Sequence, residues 1–304
     1  MKHRVLITGI NGFVGRYITK ELLNYSDIEI MGFDCNITNS FGNRVGIKQI
    51  NLLDKDNLNK AVCEFKPTST IHLAGIASPV YGNVGELYDI NVHGSENLLN
   101  VLYDVCEPNT RVVLTSTAGV YGNSGKEFIT EDTPYNPENH YSFSKMIVEY
   151  IAKKYQDKLD VKIIRPFNII GVGQNENFLV PKLVKAFASK QPTLSIGNMN
   201  TYRDFVDAEY AAKIFVKAAL AQSMEYDVMN ICAGHGTTGN DILSVLKEIT
   251  NYSPNIEVNP AFVRKNEIMR LVGDPTKCKS FMGKNFVTKP VNVILSEMVK
   301  QYSK

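Results

Sequence analysis

Tyr141 and Lys145 stand four positions apart in the run Tyr141-Ser142-Phe143-Ser144-Lys145. The residues from Met146 to Lys154 are good helix formers with apolar positions three and four apart, so the pattern predicts a helix from Tyr141 to Lys154. On such a helix the phenol and the ammonium lie one turn apart on one face. An ammonium held against a phenol favours the phenolate, bringing a group with an ordinary pKa of about 10 toward proton transfer near neutrality. Alone, such a pair is more often a solvated helix edge. The elements around it decide whether it is a site.

Composition bounds the answer. The chain has 304 residues, 44% of them hydrophobic, enough for one large or two ordinary globular domains. With 33 basic against 31 acidic residues, no net field points to nucleic acid or a membrane surface, so a charged ligand must be caught locally. The five cysteines (Cys35, Cys63, Cys106, Cys232 and Cys278) are scattered and in no metal-ligand spacing. That fits buried thiols in a reducing compartment and implies no metal. The first apolar run, Val5-Leu6-Ile7, is too short for a signal peptide or a membrane span, and a cytoplasmic protein is expected.

The chain opens with Arg4-Val5-Leu6-Ile7-Thr8, a run suited to a buried parallel strand, and passes at once into Gly9-Ile10-Asn11-Gly12-Phe13-Val14-Gly15. A helix is predicted from Arg16 to Leu23. A glycine turn between strand and helix lets backbone N–H groups approach a diphosphate and aims a helix N-terminus at its charge. The second strand, Ile28 to Phe33, ends on Asp34, roughly 20 residues after Gly15, where a carboxylate accepts hydrogen bonds from both adenosine ribose hydroxyls and repels a 2′-phosphate. This favours NAD(H) over NADP(H).

Further strand and helix patterns alternate: a strand over Ile47–Leu53, a helix over Lys55–Phe65, a strand over Thr68–Gly75 and a helix over Leu87–Tyr103. Strands over Arg111–Thr117 and Val161–Arg165 follow. His72 falls inside a strand, where a satisfied structural histidine is expected. The Arg111 strand ends in hydroxyls, where open parallel sheets place ligands. The alternation implies an α/β fold with a doubly wound parallel sheet.

Thr8-Gly9-x-x-Gly12-x-x-Gly15, the acidic end of the second strand, Thr115-Ser116-Thr117-Ala118-Gly119-Val120-Tyr121-Gly122 and Tyr141-x-x-x-Lys145 together resemble the extended short-chain dehydrogenase/reductases acting on nucleotide sugars. The resemblance implies a Rossmann domain with a smaller, mixed α/β C-terminal substrate domain. It implies that Thr117 hydrogen-bonds the reacting sugar oxygen, Tyr141 exchanges the proton, and Lys145 binds the nicotinamide ribose and lowers the tyrosine pKa. It assigns the cofactor to Gly9, Asn11, Gly12, Phe13, Val14, Gly15, Asp34, Asn51, Leu52, Leu73, Ala74 and Gly75 beside Tyr141 and Lys145. It assigns the substrate to Ser116, Thr117, Asn168, Arg203 and Arg264. The two arginines suit a diphosphate because a planar guanidinium can bind phosphate oxygens bidentately.

Within that family the likeness is nearest to GDP-4-keto-6-deoxy-D-mannose reductases, on Arg165-Pro166-Phe167-Asn168, Gly171-x-Gly173-Gln174, Gly197-Asn198, Arg203-Asp204-Phe205 and Leu271-Val272-Gly273-Asp274. It implies hydride delivery to a C4 ketone of a GDP-sugar. Three features depart from the pattern: Asp34 favours NAD(H), Ala118-Gly119 looks more like 4-epimerases, and Asn51 replaces an aspartate that commonly contacts adenine. An NAD-dependent 4-epimerase uses the same residues. A 4,6-dehydratase is disfavoured, because Ala118 and Gly119 cannot move the proton that elimination requires. A non-catalytic dinucleotide-binding regulator would have little need of Thr117, Tyr141 and Lys145 together. The domains are expected at residues 1–166 plus about 205–231 for the cofactor, and 167–204 plus 232–304 for the sugar nucleotide. The resemblance also implies a homodimer joined by the helices at 87–103 and 141–155.

Overall fold

The computed structural model describes residues 3–38, 41–259 and 267–302. The chain begins with β1 (His3–Thr8), α1 (Phe13–Leu22), β2 (Ile28–Asp34), β3 (Val45–Gln49), α2 (Lys55–Phe65) and β4 (Ser69–His72). It continues with α3 (Val84–Tyr88), a π-helical turn (Asp89–His93), α4 (Gly94–Val105), β5 (Arg111–Thr115), α5 (His140–Ala152) and β6 (Asp160–Pro166). Then come β7 (Asn168–Ile170), α6 (Leu179–Ala188), β8 (Thr193–Ile196), β9 (Tyr202–Asp207), α7 (Ala208–Leu220) and β10 (Val228–Ile231). The last elements are β11 (Gly236–Thr237), α8 (Gly239–Thr250), β12 (Asn255–Val258), β13 (Arg270–Leu271), α9 (Thr276–Met282) and α10 (Val291–Lys300).

Seven strands form one sheet in the order β10-β6-β5-β4-β1-β2-β3, and the ladders from β6 to β3 are parallel. The chain therefore winds outward from β1 to β3, returns to β4 and winds the other way. The reversal between β1 and β4 is the switch point at which a doubly wound sheet opens a crevice at its strand ends. Val5, Leu6, Ile7, Val112 and Val113 are fully buried, as expected for strands covered on both faces. The fold is thus the α/β doubly wound sheet that the alternation implies.

Two compact units divide the chain. The first holds the residues up to Val120, Pro137–Pro166 and Ala212–Met229; the second holds Tyr121–Asn136, Phe167–Ala211 and the residues from Asn230 on. The stretches 121–136 and 205–211, placed with the cofactor domain in the sequence reading, thus group with the second unit. Ile129 N–H donates to Val272 carbonyl oxygen at 2.9 Å and Asn230 N–H donates to Glu131 at 2.8 Å, which ties the 121–136 loop there. In the second unit β9 pairs with β7 and β13 in parallel and with β11 antiparallel, while β8 and β12 form a separate parallel pair. Its core gathers Leu183, Val184 and Phe187 of α6, Ile242 and Leu246 of α8, and Ile294, Leu295 and Met298 of α10. No helix among the described residues is long and apolar enough to cross a membrane.

Several elements differ in extent from their sequence patterns, three of them as follows. The strand expected over 47–53 runs only to Gln49, because Asn51 folds back: its side chain accepts from Leu53 N–H at 3.0 Å and its carbonyl from Asp54 N–H at 3.0 Å, making a turn. Asp54 then caps α2 through Asn57 N–H at 3.2 Å. The single helix expected over 87–103 begins at Val84 and contains the π-helical turn around Asn91. The helix expected to reach Lys154 ends at Ala152 and closes in a 3-10 turn over Lys153–Tyr155.

Candidate active site

Asn139 caps α5 by accepting from Ser142 N–H at 2.9 Å, so the helix starts just where Tyr141 must be placed. The end of β5 then holds one face of that helix. The Thr115 carbonyl accepts from Lys145 Nζ at 3.0 Å, the Ser116 hydroxyl donates to Glu149 Oε1, and the Thr117 hydroxyl hydrogen-bonds the Tyr141 phenol. Three consecutive residues thus grip helix positions 141, 145 and 149, which share one stripe at four-residue spacing.

Burial sets the protonation of this group. It pushes the Tyr141 phenol up to about 12, against a lowering contribution from Thr117. It pushes Lys145 down to about 8, with Glu149 acting in the opposite direction. The Lys145 ammonium, one turn on, is engaged by the Thr115 carbonyl. A protonated phenol hydrogen-bonded to a second hydroxyl is equipped to donate a proton to a carbonyl oxygen. Nearby, His72 is a satisfied structural histidine, its ring bonded to Thr8 Oγ1 at 2.7 Å and Ser95 Oγ at 2.8 Å. Burial, with Lys145 adding to it, pushes His72 down to about 3 and keeps it neutral.

Gly119 donates its N–H to Thr117 Oγ1 at 3.1 Å. A Cβ added there would lie 2.4 Å from Ser142 Oγ and 3.4 Å from Thr117 Oγ1, so α5 fills the space that any side chain at 119 would need. No carboxylate stands at positions 118 and 119 to move a second proton.

The cofactor residues of the sequence reading line the turn after β1 and the neighbouring strand ends. Gly9 has φ +73°, and an added Cβ would lie 2.9 Å from Ala74 N; at Gly15 it would lie 2.4 Å from the Gly9 carbonyl oxygen. Glycine is therefore required at both places, and backbone is left bare between strand and helix. Gly12 is the N-cap of α1 and brings no side-chain cap to the first N–H groups of the helix. Asp34 accepts from Asn11 N–H at 2.9 Å and from Asn36 N–H at 3.1 Å, which fixes its carboxylate beside the glycine turn. Leu73 N–H donates to the Thr8 carbonyl at 3.1 Å and Ala74 N–H to Thr8 Oγ1 at 3.2 Å, while Leu52 is buried and its carbonyl accepts from Asn97 at 3.0 Å. The Thr115 hydroxyl is buried with no partner. An uncapped helix N-terminus, a bare glycine turn and a fixed carboxylate together fit a dinucleotide.

The substrate residues of the sequence reading meet mixed outcomes. Ser116 is 2% exposed and its hydroxyl donates to Glu149. In the second unit Asn168 donates to the Asp204 carbonyl at 3.1 Å, and Arg203 donates to the Tyr202 carbonyl at 2.9 Å. Asp204 is fully buried and accepts from Ala233, Gly234 and Gly273 N–H groups at 2.7, 2.9 and 3.2 Å, which locks β9 around Arg203. Arg264 lies outside the described residues.

Sequence reasoning missed two devices. Asn91, buried in the π-helical turn, accepts from Ile76 N–H at 2.7 Å and donates to Ser144 Oγ at 2.9 Å. It joins the strand end at Gly75 to the helix that carries Tyr141; a Cβ on Gly75, at φ +153°, would lie 2.9 Å from Asn91 Oδ1 and 3.5 Å from Lys145 Nζ. A polar residue in the middle of an apolar helix face is its only sequence signal. The second device, the Glu149–Arg165 pair, leaves no local signal.

The NAD dependent epimerase/dehydratase family matches residues 5–232. The GDP-6-deoxy-D-talose 4-dehydrogenase of Aggregatibacter actinomycetemcomitans is 33% identical over 297 residues, covering 98% of this chain and 97% of its own. The GDP-6-deoxy-D-mannose reductase of Pseudomonas aeruginosa is 24% identical, with 93% and 92% covered. Among solved structures, the UDP-glucose 4-epimerase of Thermus thermophilus in complex with NAD superimposes with a TM-score of 0.86 at 26% identity, covering 99% of both chains. With a glycine turn, a fixed Asp34 and the Thr117–Tyr141–Lys145 group on a doubly wound sheet, the chain belongs to the NAD dependent epimerase/dehydratase family.

Proposed function

We propose that this protein is a nicotinamide-dependent 4-ketoreductase of a GDP-4-keto-6-deoxyhexose. The observation that carries the reading is the Tyr141 phenol, hydrogen-bonded to Thr117 at the strand end that also holds Lys145. That set can polarise one carbonyl and supply one proton. The relatives support the sugar. 6-Deoxy-D-talose and 6-deoxy-D-mannose are C4 epimers, so the substrates named for both relatives give the same ketone when oxidised at C4.

When bound, the nicotinamide supplies the hydride. Thr117 holds the C4 oxygen and Tyr141 protonates it, while Lys145 stays on the Thr115 carbonyl as a nearby positive charge. Asp34, as a fixed anion, favours NAD(H) over NADP(H). Asn168, Arg203 and Arg264 are assigned to the sugar nucleotide, the arginines to its diphosphate. Exposed Phe143 and Tyr150 on α5 support a homodimer formed through that helix and α4. A cytoplasmic location accords with a sugar-nucleotide substrate.

A second reading, an NAD-dependent 4-epimerase, is favoured by the Ala118-Gly119 pair. The two separate on mixing protein, NADH or NADPH and GDP-4-keto-6-deoxymannose. A reductase oxidises one cofactor per sugar reduced; an epimerase shows no net oxidation and interconverts a nucleotide hexose with its cofactor retained.

A further inference from the structure

Glu149 is 0% exposed and Arg165 3% exposed, yet they form an ion pair with Arg165 Nη2 at 2.6 Å from Oε2. Arg165 Nε lies 3.0 Å from Oε1 and 3.2 Å from Oε2 of the same carboxylate. The Ser116 hydroxyl donates to Oε1 as well. One carboxylate therefore ties α5, the end of β5 and β6 together. Stability alone is a poor reason for such a group, because a buried ion pair replaced by well-packed apolar residues is often neutral or stabilising.

Its neighbours give a better reason. Glu149 follows Lys145 by one helical turn, and Ser116 sits between Thr115, whose carbonyl holds the Lys145 ammonium, and Thr117, which bonds Tyr141. We propose that Glu149 is a positioning residue, which through Ser116 and its own helix turn holds Lys145 and Thr117 in place for proton transfer. The charged and titratable groups near Lys145 include Tyr141 and Glu149 on its own helix and His72 on β4, the last neutral. Arg165 on β6 is engaged by the carboxylate. Glu149 thus acts against the lowering that burial imposes on Lys145.

The test follows Lys145 directly and needs no sugar. In full-length protein labelled with ¹⁵N-lysine, the Lys145 side-chain resonance is identified by its loss in Lys145→Met and titrated by NMR. Glu149→Gln is expected to lower the Lys145 midpoint by about one pH unit. Because Glu149→Gln strands a buried guanidinium, the double variant Glu149→Leu/Arg165→Met, which removes both charges, is the fold-compatible form and is expected to lower the midpoint by a smaller amount. A folded variant whose Lys145 midpoint matches the parent overturns the proposal, even if its thermal stability has dropped. The kinetic arm rests on the ketoreductase reading: kcat falls about 10- to 100-fold in Glu149→Gln, KM changes little, and the alkaline limb moves to lower pH. A moved midpoint in a protein whose parent turns over no 4-keto sugar would sink that reading and leave this proposal standing.

Discussion

Lys145 Nζ donates to the Thr115 carbonyl oxygen at 3.0 Å, and this bond fixes the Tyr141 helix to the strand end that carries Thr117. A lysine so placed pays for its position with burial, which pushes it down to about 8 from an ordinary 10.5. The sign of the consequence is definite. Below pH 8 the lysine is charged in both folded and unfolded chains, and the full cost of burying it is present. Between 8 and 10.5 the unfolded chain binds more protons, so this group's cost falls as pH rises. Lys145→Met is therefore expected to melt higher than the parent at pH 7, with the gap closing toward pH 10.5, while losing turnover. Melting curves across that range check it.

Tyr141→Phe keeps the ring and deletes the proton donor. Turnover is expected to fall about 10²- to 10⁴-fold with nicotinamide binding within a few-fold of the parent. Steady-state kinetics beside a direct binding titration separates the two effects. A fully active variant would remove Tyr141 from the mechanism.

Gly119 and Ser142 form a tight pair, with an added Cβ at 119 only 2.4 Å from Ser142 Oγ. Gly119→Ala is expected to cost about 1–3 kcal/mol of stability and most of the activity, through displacement of α5 at Tyr141. Adding Ser142→Gly opens the space and should recover a large part of both. Chemical denaturation and kcat for the two variants decide the matter.

At Asp34 the change to Ser removes a fixed anion beside the glycine turn while leaving a small polar group. The ratio of kcat/KM for NADPH over NADH is expected to rise by about tenfold or more, since the repulsion of a 2′-phosphate is lost. An unchanged ratio would mean that Asp34 serves only Asn11 and Asn36.

Much of this site can be read from sequence because its signals are local. The glycine turn and Asp34 announce themselves by residue type at short spacing, and Tyr141 and Lys145 share a helix face. What escapes depends on pairings far apart in the chain. Ser116 reads as one of three equivalent hydroxyls until Glu149, 33 residues on, claims it. Arg165 reads as the start of a substrate motif until it folds onto Glu149, 16 residues before it. Asn91 lies in a helix of ordinary periodicity, and only its bonds to Ile76 and Ser144 explain the π-helical turn there. The i, i+4 spacing of Tyr141 and Lys145 gives proximity but not the Thr115 carbonyl as the acceptor that the ammonium takes.

The central claim is hydride delivery to C4. Reduced nicotinamide carrying deuterium at the transferred position, mixed with the protein and GDP-4-keto-6-deoxymannose, is expected to leave one deuterium at C4 of the isolated GDP-6-deoxyhexose, with one cofactor oxidised per sugar. NMR of that product would also fix its C4 configuration. A nucleotide hexose recovered without deuterium, with no cofactor oxidised, would contradict the account.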